Sequence, residues 1–166
     1  MTRPTRMHVD VFLAPGELAV YRRPLHVKTI LGSCVAVCLW DPRGRVAGLN
    51  HYLLPHPVGH HPPDPRFGSI SCRRLIEGMR AAGAAPAKLW AAVIGGGAPV
   101  GVDDQWSVGS ANVRIALAVL SEFAIRVQRQ ETGGRTGRKL LFDTGTGKLL
   151  VHTLGNQLLG RDGGTP

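Results

Sequence analysis

Residues 29–41 read TILGSCVAVCLWD, an apolar stretch interrupted once, at Gly32–Ser33. The run is too short for an independent helix. It is bounded by a Gly-Ser break and an Asp-Pro pair, as a buried strand is. DPRG, Asp41–Gly44, then leads into RVAGLNHYLL, residues 45–54. Pro42 presets φ and Gly44 tolerates positive φ, so the two runs are expected to fold back as an antiparallel hairpin. A turn centred between Pro42 and Arg43 sets Cys34 opposite His51, with Cα atoms about 4.5–5.5 Å apart. The stretch therefore raises a chemical question, whether Cys34 is packing material or a thiol served by an imidazole.

Outward from this hairpin the chain alternates short strands with two helical stretches. ELAVY (17–21) and LHVKTI (25–30) precede it as strands, and PHPVGHHPPDPRFG (55–68) follows it as a loop dense in proline and histidine. From Ser69 to Ala82, Ile70, Leu75, Met79 and Ala82 recur at helical spacing, and Gly83 supplies a stop. KLWAAVI (88–94) is a buried strand ending in GGGAP. A second helix is expected from Ser107 to Phe123 with Val108, Ala111, Ile115, Ala118 and Val119 on its apolar stripe. AIRVQRQE, RKLLFD and KLLVHTL close the chain as strands, the last two joined by TGTG in a tight hairpin. Many strands and two main helices on one core indicate a single domain of mixed α/β (α+β) class, with sandwich-like sheets. Residues 1–8 read as a flexible basic arm, 9–159 as the folded domain and 160–166 as a flexible tail.

Composition narrows the class. Of 166 residues, 43% are hydrophobic and 19% charged, which describes a globular chain and not a disordered one. The formal charge of +9 suits an acidic partner. Its arginines are scattered and aromatics make up only 5%, a poor match to nucleic-acid binding. No apolar segment approaches membrane-span length and no leader-like segment opens the chain, so a cytoplasmic protein without membrane insertion is expected. Three cysteines cannot all pair, and Cys34 and Cys38 on one strand stand about 13 Å apart, beyond disulfide reach.

The candidate sites differ in weight. Cys38 reads as buried filler. Cys34 follows Gly-Ser at a strand end, where side chains project and backbone N–H groups are free to meet an oxyanion. His51 alone would be a hydrogen-bonded core histidine; paired with Cys34 it becomes a base that takes the thiol proton. His56, His60 and His61 lack an acidic or cysteine complement, so no metal is expected there. GGGAPVG (95–101) and GTGK (145–148) lack the remainder of a phosphate loop, and DTG (143–145) lacks a second carboxylate.

TILGSCVAVCLWDP followed by GLNHYLLP resembles the signature of the CheD family of bacterial chemotaxis. LWAAVIGGGAPV, VGSANV and ETGGRTGRKLLFDTGTGKLLV extend the likeness in the same order over residues 16–153. The resemblance implies a cysteine nucleophile at Cys34, its base at His51 and a third member at Thr29. It implies substrate contacts at Gly32, Ser33, Asn50, Gly96, Gly97 and Ala98, with no cofactor. The implied reaction is deamidation of chemoreceptor glutamines to glutamate, with glutamyl methyl ester hydrolysis through the same acyl-enzyme. The implied partners are methyl-accepting chemoreceptors and a CheC-type phosphatase, met by a monomer. Ala92, Val100 and Ala111 stand where the family more often carries lysine, methionine and arginine. The alternative is a non-catalytic adaptor that binds receptors or such a phosphatase.

Overall fold

The computed structural model describes residues 8–157. In chain order the strands are β1 (Val11–Phe12), β2 (Leu18–Tyr21), β3 (His26–Leu31), β4 (Val35–Trp40) and β5 (Ala47–Asn50). Helix α1 (Gly68–Ala81), strand β6 (Trp90–Gly95) and helix α2 (Val108–Glu122) follow. Strands β7 (Arg126–Thr132), β8 (Thr136–Asp143) and β9 (Leu149–Gln157) complete the fold. β1, β3, β8 and β9 form one sheet in that order; β2, β5, β4, β6 and β7 form the other. The α+β class expected from the sequence is the class observed.

The opening stretch explains the layering. Val35, Val37 and Leu39 of β4 join Cys72, Leu75, Ile76 and Met79 of α1, and Ala116, Val119 and Leu120 of α2, in a single apolar cluster. Ala36 and Cys38, the alternate residues, pack with Val27, Leu31, Leu140 and Phe142 of the four-stranded sheet. β4 thus lies between a sheet and a helical layer and is covered on both faces. That is why it reads as a continuous apolar run and not an alternating one.

Two expectations are corrected here. β4 and β5 pair antiparallel with Cys38 opposite Leu49 and Trp40 opposite Ala47. The Asp41 amide also bonds the Val46 carbonyl at 3.0 Å. Four residues, not two, therefore make the turn, because the Asp41 carboxylate accepts the Arg43 N–H at 2.9 Å and Gly44 takes φ +68°. The register slips by two, and Cys34 no longer lies directly across from His51. An even slip keeps both side chains on one face, whereas an odd one would have separated them. The expected strand also ends earlier: β5 stops at Asn50, and beyond it Tyr52 bridges Val35 and Leu54 bridges Phe67 as isolated pairs.

The α2 stripe is the second correction. Its buried residues are Gly109, Asn112, Ala116, Val119 and Leu120, while Val108 is exposed. Small and polar residues face inward because α2 begins against the glycine loop after β6. A Cβ on Gly109 would meet the Gly96 and Gly97 carbonyl oxygens. β1, two residues parallel to β3, was not expected and is too short to leave a periodic signal. The expected tail at 160–166 lies outside the described residues, as does all of the expected arm except His8.

Candidate active site

β3 turns Val27, Thr29 and Leu31 inward, and Thr29 is fully buried. A hydroxyl in that setting needs partners. Its Oγ1 donates to the Leu13 carbonyl at 2.8 Å and lies 2.7 Å from His51 Nδ1. The hydroxyl has one hydrogen, and a carbonyl can only accept it. Assigned from this network, His51 carries its hydrogen on Nδ1 and donates to Thr29. Nε2 is then the bare, basic nitrogen. It is buried and has no hydrogen-bond partner. Burial pulls the imidazole pKa down from 6.5 to about 4, so His51 is neutral near pH 7. Its backbone is pinned on both sides, by Glu17 carbonyl at 3.0 Å and Gly16 amide at 2.8 Å.

Cys34 sits at the corner between β3 and β4, half-buried against the inter-sheet cluster. Burial raises its thiol pKa, and its own backbone amide opposes that shift. Val35 and Tyr52 exchange two backbone hydrogen bonds of 3.2 and 3.0 Å. Cys34 and His51 flank that bridge as diagonal neighbours, which places their Cα atoms about 7–8 Å apart, close enough for side-chain contact. Thiol and imidazole are not bonded to each other, and both rest neutral. Among the described residues, no acceptor takes the amide hydrogens of Gly32 or Ser33.

The corner is built from behind. Gly96 N–H bonds the Cys34 carbonyl and Gly97 N–H the Gly32 carbonyl, each at 2.9 Å. Gly95 adopts φ +112°, and a Cβ there would run into the Cys34 carbonyl oxygen. No residue but glycine lets that backbone approach so closely.

The sequence family described as CheD chemotactic sensory transduction matches residues 53–153, a span that begins just after His51. A probable chemoreceptor glutamine deamidase CheD 1 of Anaeromyxobacter dehalogenans is 42% identical over 146 residues, covering 87% of this chain and 85% of its own. The chain belongs to the CheD family. Named in the same way apart from the final numeral, the Trichlorobacter lovleyi relative is 40% identical, covering 84% of this chain and 88% of its own. One from Sulfurimonas denitrificans is 36% identical, covering 84% and 91%. Among solved structures, a Bacillus licheniformis hypothetical protein YfiH gives a TM-score of 0.45 at 16% identity, covering 69% of this chain and 49% of that one. That likeness is too distant to bear on the site.

Seen as a CheD fold, the expected site residues separate into two groups. Thr29, Gly32, Ser33, Cys34 and His51 converge on one end of the sandwich. Asn50 does not join them. It is fully buried on the helical side, where its Oδ1 accepts the Val37 N–H at 2.7 Å and its Nδ2 faces Cys72 Sγ at 3.6 Å. Adjacent strand residues point to opposite faces, so Asn50 cannot share His51's side of the sheet. Gly96 and Gly97 brace the Cys34 corner from behind, their amides bonded to the Cys34 and Gly32 carbonyls, while the Ala98 amide bonds the Gly134 carbonyl.

Two participants had no role in the sequence reading. The Leu13 carbonyl fixes the Thr29 hydroxyl, a main-chain contribution that leaves no trace in residue type. Asn112 is the other; its signal was a lone amide on the small-residue face of α2. His56, His60 and His61 are exposed, and among the described residues no three metal-ligating side chains gather. No helix among them is long and apolar enough to cross a membrane.

Proposed function

We propose that this chain is a protein-glutamine deamidase of chemoreceptors, with Cys34 as nucleophile, His51 as base and Thr29 as the group that orients it. The observation that carries the proposal is the Thr29–His51 pair, whose hydrogen leaves Nε2 as an unpartnered lone pair beside the cysteine corner. The relatives' names supply the substrate class, a chemoreceptor glutamine.

Cys34 Sγ attacks the side-chain carboxamide carbon while His51 Nε2 takes the thiol proton. The carbonyl oxygen becomes an oxyanion facing the free amides of Gly32 and Ser33. The imidazolium then protonates the departing nitrogen, ammonia leaves and a glutamyl thioester remains. Water gives its proton to Nε2, its oxygen attacks the thioester carbon, and the thiol is restored as glutamate departs. A glutamyl methyl ester enters the same sequence with methanol as leaving group. A depressed imidazole pKa favours donation of the proton to the departing nitrogen and opposes its removal from the raised thiol, so proton removal is coupled to sulfur attack.

A protein substrate accords with the surface next to the corner. Val100, Val102, Trp106 and Val108 are exposed in the segment that joins the glycine loop to α2. Such apolar exposure marks contact with another macromolecule. A CheC-type phosphatase is the further partner in this reading, and the enzyme works in the cytoplasm as a monomer. Light scattering alone and with such a phosphatase checks both statements.

The deciding experiment is intact-peptide mass spectrometry of receptor fragments. Wild-type protein adds about 1 Da per converted glutamine and Cys34→Ala adds none, since no acyl intermediate can form. Conversion by both at equal rate sinks the mechanism. The adaptor reading instead needs Cys34→Ala to retain receptor fragments in a pull-down while wild type converts nothing.

A further inference from the structure

We infer that Asn112 is a positioning residue of the active site, whose amide sets the distance between the Cys34 thiol and the His51 imidazole. The inference rests on the deamidase reading above. It begins from a gap in the sheet. The β4–β5 ladder is regular from Trp40–Ala47 to Cys38–Leu49 and is resumed by the Val35–Tyr52 bridge. Past that bridge the strands part: Leu53 N–H turns away to the Arg66 carbonyl at 2.9 Å, and the Cys34 carbonyl turns to Gly96. No backbone bond joins the nucleophile corner to the segment carrying His51 beyond this point.

Asn112 closes the gap from the helical layer. It is fully buried. Its Nδ2 donates to the Ser33 carbonyl at 3.0 Å and to the Leu53 carbonyl at 2.9 Å. Ser33 immediately precedes the nucleophile, and Leu53 follows the base by two residues. One amide group therefore substitutes for the missing rung. Its own backbone carbonyl accepts the Tyr52 hydroxyl, which ties the helix to the bridge itself. The side-chain orientation is fixed by chemistry: reversal would set Oδ1 against two carbonyl oxygens. Oδ1 in turn has no donor and is shut away from solvent. An alanine would remove the unpaired Oδ1 but leave the Ser33 and Leu53 carbonyls without their shared donor, so the two strand ends would lose the link between them. A hydroxyl or an apolar residue could fill the volume, but neither supplies two hydrogens from one atom.

The test uses the full-length chain with two readouts. Asn112→Ala is expected to lower kcat on a receptor fragment about 10²-fold, the loss typical of a reacting group displaced by an ångström. KM is expected to stay within about twofold, because the substrate surface is untouched. Native iodoacetamide labelling of Cys34 needs no receptor. It should fall in Asn112→Ala to the rate of His51→Ala, and the double variant should be no slower than His51→Ala alone. Asn112→Ser retains one donor and should recover part of kcat, and it decides the matter if Asn112→Ala does not fold. Leu120→Ala, on the same helix face but away from the corner, should lower the melting temperature and keep kcat. A variant at 112 that melts early yet keeps kcat would overturn the inference, as would labelling losses that add to those of His51→Ala. Deamidation surviving Cys34→Ala would defeat the parent reading instead, and the labelling comparison would still judge Asn112.

Discussion

Cys34 and Cys38 lie on one apolar stretch, on the same face of the same sheet, and share an apolar cluster. Yet their surroundings differ at every point that governs reactivity. Cys38 is mid-strand, paired with Leu49 on one side and Ala92 on the other, and almost sealed. Burial drives its thiol far above the ordinary range, despite the nearby Arg129 charge. Cys34 stands where the strand leaves the sheet, half-exposed, with free amides before it and an imidazole lone pair diagonal to it. Four residues along the chain separate packing material from the proposed nucleophile. The lesson is that a strand end supplies what a strand interior forbids: unpaired N–H groups and an opening to solvent.

The sharpest break in this comparison is a pair of alanine variants. Cys34→Ala should abolish glutamine conversion, and Cys38→Ala should leave it intact; mass spectrometry that found the reverse would exchange their roles. Next in size is His51→Ala, expected to cost 10²–10⁴-fold in kcat, the range of a lost general base. The same variant should slow iodoacetamide labelling of Cys34 near neutral pH, and unchanged labelling would remove His51 from thiol activation.

Acid titration gives a third and smaller effect. His51 has a folded pKa of about 4 against an ordinary 6.5, so as pH falls the unfolded chain takes the proton first. The native advantage is full above pH 6.5 and drains away between there and about 4. The loss is on the order of 3 kcal/mol. Urea melts of wild type and His51→Gln across that window should converge toward acid; parallel curves would contradict a buried neutral imidazole. Smallest is Thr29→Val, which keeps the shape and removes the acceptor of the Nδ1 hydrogen. Leaving that donor unpaired should lower kcat about 10- to 100-fold, in line with an unsatisfied buried group. A kcat equal to wild type would mean the tautomer is held some other way.

Most elements were readable because each has a local cause. Continuous apolar runs placed β4 and β6, a strand-like run placed β3 and the 3.6 period both helices, and Gly83 and the Asp-Pro turn marked where elements end. The α2 stripe was misread for a definite reason. Its inward face answers to backbone packing at Gly96 and Gly97, which selects Gly109 and Asn112 over larger apolar residues. The hairpin register was misread because a four-residue turn capped by Asp41 and a two-residue turn are compatible with the same DPRG. Asn50 was expected as a substrate contact from the family resemblance, but strand geometry sends it to the face opposite His51, among the helices.

By itself the sequence determined the layers, the reduced thiol at a glycine-serine corner and the candidate pair of Cys34 and His51, because these follow from residue type and spacing. Tertiary structure alone decided which nitrogen of His51 is basic, which amides remain free and what holds the corner open. Those depend on Leu13, Thr29, Gly96 and Asn112 meeting across two sheets and a helix. Hydrogen-bond direction is a property of three-dimensional neighbours, and no one-dimensional pattern encodes it.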